Sequence, residues 1–184
     1  MSGAVKVHTD NIREAAKNLH AGDSILLSGT VYTARDAAHK RICALIAQGR
    51  ELPFELCDAV IYYAGPTPAP EGRPIGSCGP TTSSRMDGFA PTLYDRGLAA
   101  TVGKGGRSEK VVQALVRNGA LYLCAVGGAG ALIAKHVVAA EEIAFHDLGC
   151  ESIKKFTVEN LPLTVAIDCH GGNIFRDGRA KYAR

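Results

Sequence analysis

The feature that most constrains this chain is a recurring order: a short apolar run, a turn rich in glycine or hydroxyl residues, then an amphipathic stretch. It occurs at Ser24–Tyr32 before Thr33-Ala34-Arg35-Asp36, and at Leu98–Val102 before Gly103-Lys104-Gly105-Gly106-Arg107-Ser108. It recurs at Leu121–Val126 before Gly127-Gly128-Ala129-Gly130. Runs such as Ile25-Leu26-Leu27 are apolar without alternation, as in strands buried on both faces. Strands giving way repeatedly to helices predict an α/β fold. In such a fold these turns gather at the carboxyl ends of the strands, where ligands bind.

The periodicity predicts helices over Asp10–Leu19, from Thr33 (as N-cap, with Asp36 in a capping box) to about Gln48, over Glu109–Asn118 behind Ser108, and over about Ala131–Ala140. Val60–Ala64 reads as a further strand, followed by a proline- and glycine-rich loop over 65–73. The character changes near the end. Ile153–Val158 and Leu163–Asp168 read as antiparallel strands joined by a turn at Asn160-Leu161-Pro162. The expectation is one domain over residues 1–184 with a mixed sheet, C-terminal antiparallel strands and a frayed polar tail over about 176–184.

Between these elements lies Gly79-Pro80-Thr81-Thr82-Ser83-Ser84-Arg85-Met86-Asp87. Pro80 favours a turn or helix start, and Thr81 or Thr82 can cap a helix running to about Arg96, kinked at Pro91. The free N–H groups of that helix start, together with Arg85, suit an anion such as a carboxylate. An ordinary capped helix explains the stretch alone. Two other loops add weight. Arg35 stands in a first helical turn, where a cation opposes the helix dipole unless an anion is bound or an acid pairs with it. Lys104 stands in a glycine loop that is neither a Walker A sequence nor GxGxxG, so nucleotide binding is not the default. Three cations at strand-to-helix turns would suit a dianion. His39, one turn after Arg35, reads as a supporting residue. Cys78 reads as a buried free thiol in preference to a nucleophile or iron ligand.

Composition excludes other classes. A net charge of +3 over 184 residues, with 6% aromatics, is a weak case for nucleic acid or an anionic membrane surface. The six cysteines form no CxxC, the start lacks a signal-peptide apolar region, and the longest uncharged run is too short and glycine-rich to span a bilayer. Free thiols in a cytoplasmic protein are the expectation, with no metal bound by this chain. There are no paired carboxylates and no Ser-His-Asp pattern. The chain looks like half of an active site.

In order, Ser28-Gly29-Thr30, Ala34-Arg35-Asp36-Ala37-Ala38-His39, Tyr63-Ala64-Gly65-Pro66, the Gly79–Asp87 stretch and Gly103–Ser108 resemble the C-terminal domain of class I fumarate hydratases. Stand-alone chains of this kind are β subunits of two-subunit fumarases and L-tartrate dehydratases. The resemblance runs from about Gly22 to Phe175. It implies a swivelling β/β/α domain. It also implies a separate α subunit carrying a 4Fe-4S cluster, and a heterotetramer with that partner. It implies substrate-binding roles for Arg35, Arg85 and Lys104, and proton transfer at the substrate carbon by Thr81. A threonine hydroxyl is a poor base, and Arg85 and Lys104 would have to lower its pKa. The expected activity is reversible hydration of fumarate to (S)-malate, absent from this chain alone, with the cluster's open iron as Lewis acid. L-Tartrate dehydration is the rival within the class, and a non-catalytic dicarboxylate-binding module the rival outside it.

Overall fold

The computed structural model describes residues 3–182. One seven-stranded sheet runs in the order β1-β2-β3-β4-β5-β7-β6, and an extra β2–β7 pairing closes five of its strands into a barrel. The strands are β1 (Val5–His8), β2 (Ser24–Thr33), β3 (Val60–Tyr62), β4 (Ala100–Gly103), β5 (Leu121–Cys124), β6 (Val137–Ala144) and β7 (Ile153–Ile167). The first five are parallel to their neighbours, while β7 is antiparallel to β2, β5 and β6. The sheet is mixed, as the sequence suggests.

Two apolar clusters explain why the central strands lack alternation. Val60 and Tyr62, Ala100 and Val102, and Leu121 and Leu123 join Leu27, Val31 and Phe156 in one cluster. The intervening Ile61 and Tyr122 face the other, with Ala38 and Ile42 of α2 (Asp36–Ala47), Leu93 of α3 (Ala90–Tyr94), and Val111 and Leu115 of α4 (Glu109–Arg117). Successive side chains of a strand point to opposite faces, so when both faces are covered nearly every position is apolar; a buried exception, Thr101 in β4, is hydrogen-bonded to the Tyr94 hydroxyl.

Several boundaries differ from the sequence reading, each for a local reason. The predicted helix over Asp10–Leu19 shrinks to a 3-10 turn at Thr9–Asn11 and α1 (Ile12–Ala16). Its start is capped by His8, which accepts from the Asp10 N–H. The strand β1 just before it is set by its parallel ladder with β2, a long-range partner with no local signal. Thr33 ends β2 and is not a cap: its hydroxyl donates to the Ser152 carbonyl and accepts from the Lys154 N–H. The predicted helix over Ala131–Ala140 ends early. After α5 (Gly130–Ala134), Val137 and Val138 begin β6, since β-branched residues pack well on a pleated surface and β7 offers a free edge.

The expected turn at Asn160–Pro162 lies inside β7. Asn160 takes a left-handed conformation (φ 49°), donates its N–H to Ser28 Oγ, and sits where the β2 register jumps between Leu27 and Gly29. Pairing on both sides converts a turn signal into a bulge. Most of the stretch expected to fray, residues 176–182, belongs to α6 (Ile174–Tyr182). Asn173 Oδ1 accepts from the Phe175 N–H, and Asp177 accepts from the Asn173 N–H. The last two residues of that stretch lie outside the described ones. No described helix is long and apolar enough to cross a membrane.

Candidate active site

Four parallel strands, β2 to β5, end at one rim of the barrel, and the three loops singled out by sequence leave from it. The backbone binds them together. The Ala34 N–H donates to the Tyr62 carbonyl and the Tyr63 N–H to the Val102 carbonyl. Thr81 then donates its N–H to the Tyr63 carbonyl at 2.6 Å, Lys104 donates to the Thr81 carbonyl at 3.3 Å, and Ser83 donates to the Lys104 carbonyl at 2.9 Å. Thr81 and Lys104 are therefore neighbours through the main chain, extending the β3–β4 pairing beyond the strands.

The predicted long helix after Pro80 is a 3-10 turn at Ser83–Met86 followed by α3, with Pro91 in the first turn of α3. Thr82 occupies the N-cap position of the 3-10 turn, but its side chain makes no capping bond. The Thr81 hydroxyl has no hydrogen-bond partner among the described residues. Neither threonine is a cap, and the anion site expected from a full helix start is not formed there. What remains in place is the Thr81 side chain, partly exposed, beside the Lys104 main chain.

Arg35 and Arg85 meet through a shared acid. Arg85 donates Nε to Asp36 Oδ1 at 2.8 Å and Nη2 to Asp36 Oδ2 at 2.6 Å. Arg35 Nε lies 4.0 Å from the same Oδ2, and its Nη2 lies 3.5 Å from Glu151 Oε1. Arg35 is 22% exposed, yet its Nε is buried without a hydrogen-bond partner. Glu151 also accepts from the Ala37 N–H, filling the N-terminal end of α2. Gly65 leaves room for this arrangement: a Cβ there would stand 2.8 Å from the Cys150 carbonyl and 3.1 Å from Arg35 Nη1. Asp36 and Glu151 were not singled out as site residues in the sequence. Glu151 is 116 positions from Arg35, and nothing local connects them.

Arg107 is the other residue that sequence reasoning missed. Its side chain is fully buried and donates Nε to Asp87 Oδ1 at 2.6 Å, while Asp87 Oδ2 accepts from the Ser108 N–H. The guanidinium lies over the rings of Tyr63 and Tyr122, 5.3 and 4.9 Å from their centroids. Burial alone would favour its neutral form, but Tyr63, Tyr94 and Asp87 together hold its pKa above the usual arginine range. Tyr122 donates to the Gly105 carbonyl at 2.7 Å and lies 2.9 Å from Ser83 Oγ. One buried cation and one tyrosine thus pin the Ser83–Asp87 turn to the Gly103–Ser108 loop. The signal was present in the pairing of Arg-Met-Asp with Gly-Arg-Ser, but only the fold brings the two together.

His39 supports this rim from below. It is fully buried, edge-on to Tyr63 at 5.2 Å. Its Nδ1–H donates to the Arg35 carbonyl at 2.9 Å, which leaves Nε2 as a buried acceptor without a partner. Burial pushes its pKa down from 6.5 to about 4, so it is neutral near pH 7. Cys78 is buried, and burial pushes its thiol up to about 12, so it is not a thiolate nucleophile at neutral pH.

Comparison with known proteins adds the family context. The model of the family "Fumarase C-terminus" matches residues 2–178. The chain is 40% identical over 152 residues to the anaerobic class I fumarate hydratase of Escherichia coli, a match spanning 82% of this chain and 28% of that protein. It is 36% identical over 168 residues to fumarate hydratase 2 of Leishmania major, spanning 90% of this chain and 30% of that protein. It is also 36% identical over 175 residues to a Methanocaldococcus jannaschii protein provisionally named L(+)-tartrate dehydratase subunit beta, spanning 92% of this chain and 90% of that one. The chain thus spans about a third of the fumarate hydratases it matches, and nearly all of the subunit.

Proposed function

Since the chain belongs to the Fumarase C-terminus family, we propose that it is the β subunit of a hydro-lyase that hydrates fumarate reversibly to (S)-malate. The observation that carries this reading is the full-length match to a protein named as a β subunit, set beside partial matches to much longer fumarate hydratases. The match spans about a third of those enzymes, and in this reading an α subunit brings the remainder. The swivelling domain and the heterotetramer belong to the same reading.

In this reading Arg35, Arg85 and Lys104 hold the substrate carboxylates, and Thr81 moves the proton at the substrate carbon. Fixing both carboxylates orients the reacting carbons before the reaction begins, which removes much of the entropic barrier. The half-exposed Arg85 and exposed Lys104 leave donors at the surface for a substrate covered by a second chain. A 4Fe-4S cluster on the α subunit would supply Lewis acidity. This chain's own residues do not fit such a cluster. Among the described residues no three His, Cys, Asp or Glu are placed to share a metal ion, and the cysteines range from buried Cys78 to exposed Cys57 and Cys150.

The test is to mix this chain anaerobically with an α-type partner and assay fumarate, mesaconate and L-tartrate. Fumarate hydration only in the mixture supports the proposal. Preference for tartrate would favour the second reading, L-tartrate dehydratase, which the length of the subunit match supports. Dicarboxylate binding without turnover would make the chain a binding module.

A further inference from the structure

Asp36 stands at a position that the substrate-binding reading does not explain. It lies between two like-charged guanidiniums, accepting both Nε–H and Nη2–H of Arg85 and standing 4.0 Å from Arg35 Nε. Two cations brought together to meet a dianion repel one another until it arrives. An acid between them offsets that repulsion in the empty site. We propose that Asp36 is a positioning residue, which holds Arg85 beside Arg35 and fixes the edge of Arg85 that a substrate carboxylate can use. The inference rests on the hydro-lyase reading for its kinetic consequence only.

The geometry limits Arg85 in a specific way. A guanidinium has five N–H donors in a planar fork. The side edge, Nε with one hydrogen of Nη2, is taken by Asp36. Both hydrogens of Nη1 and the second of Nη2 have no partner among the described residues. One hydrogen of Nη1 and the free one of Nη2 form the end edge, which is itself a two-donor fork matched to a carboxylate. Arg85 therefore has two carboxylate-binding edges in one plane, one for Asp36 and one for substrate. A lysine cannot serve both at once.

Two simpler roles make different predictions. As an exposed ion pair, Asp36 would contribute little. Removing its charge would then make the site more positive, lowering KM for a dianion and leaving kcat alone. As an acid in the first turn of α2, it would interact with the helix dipole, and its loss would lower Tm without changing kinetics. As a positioning residue, its loss frees Arg85 to rotate, which reduces kcat because orientation is exploited in the transition state.

The test has two arms on Asp36→Asn. In the first, the side-chain Nε–H resonance of Arg85, assigned by its disappearance in Arg85→Lys, is followed in the isolated chain. A slowly exchanging signal in the wild type that broadens or vanishes in the variant is expected. An unchanged signal overturns the proposal, and this arm needs no partner and no activity. In the second arm, the complex with the α subunit should lose kcat by about tenfold or more, the scale on which misplacement is felt, with Asp36→Glu recovering part of it. A lower KM with unchanged kcat, or a lower Tm with unchanged kinetics, also overturns it. If the wild-type complex hydrates none of the diacids, the hydro-lyase reading fails and the first arm still decides whether Asp36 holds Arg85.

Discussion

Acid should destabilise this protein through His39. Folding places the imidazole out of water with its proton on Nδ1, donated to the Arg35 carbonyl. Its pKa falls from 6.5 to about 4. The folded state therefore resists protonation between these values, while the unfolded chain accepts the proton below about 6.5. Stability is lost as pH falls through that window, because the unfolded state then binds more protons. Between pH 7 and pH 4.5 the loss from this one group is roughly 2–3 kcal/mol, taking 1.36 kcal/mol per pH unit where the two states differ by one full proton. Denaturant unfolding of the wild type and His39→Phe at both pH values isolates the effect, because the other titrating groups cancel in the comparison. Phenylalanine fills the space against Tyr63 and Phe89 but cannot ionise. The variant is expected to be less stable at pH 7, through the lost bond to Arg35. Its further loss at pH 4.5 should be smaller than that of the wild type by the same roughly 2–3 kcal/mol. Equal acid losses in the two proteins would refute the argument, and with it the neutral imidazole whose Nε2 has no partner.

Other consequences can be checked alongside. Arg107→Ala strands Asp87 beside a buried gap and should cost about 3–5 kcal/mol of stability, as when one partner of a buried pair is removed; urea unfolding measures it, and a loss under 1 kcal/mol would mean that the pair is dispensable. Gly65→Ala puts a methyl 2.8 Å from the Cys150 carbonyl, so it should lower Tm and displace Arg35, visible as weaker dicarboxylate binding by the complex. Arg35→Ala and Lys104→Ala should each reduce kcat/KM by roughly 2–4 kcal/mol of transition-state binding, with Tm nearly unchanged for the exposed Lys104 and lowered for Arg35, which leaves Glu151 without its partner; near wild-type turnover by either complex would remove that residue from the clamp. This chain alone should form no iron–sulfur chromophore on cluster reconstitution, since its cysteines are dispersed.

What the sequence revealed follows the range of the forces involved. The central strands were legible because burial on both faces leaves an uninterrupted apolar run, as in Val60-Ile61-Tyr62, whereas Leu26 in the Ile25-Leu26-Leu27 run is only half-buried. The loops carrying Arg35, Thr81, Arg85 and Lys104 were legible because a strand-to-helix turn writes itself in glycine, proline and hydroxyls. Elements decided by distant partners were not. Val137–Ala144 becomes a strand only because β7 lies beside it, and Asn160–Pro162 is kept inside β7 because β2 pairs on both sides of the bulge. The cation positions could be read from the chain, but not their company. Asp36 has the look of a capping acid until the fold sets Arg85 against it, and Glu151 reaches Arg35 from the far end of the sequence. Thr81 looks like a cap and is not one, because the helix it would start is a single 3-10 turn.

That last difference sharpens the test of the central claim, that this chain supplies a proton-transfer group to a hydro-lyase. Because the Thr81 hydroxyl has no hydrogen-bond partner among the described residues, Thr81→Val should cost little stability. The measurement is kcat for the Thr81→Val complex with the α subunit, beside the affinity for a dicarboxylate inhibitor. The account predicts a fall in kcat of about 10²-fold or more, the usual scale of general acid–base work, with inhibitor affinity and Tm nearly unchanged. Normal turnover by the Thr81→Val complex would contradict it, leaving this chain with a carboxylate clamp and no part in moving the proton.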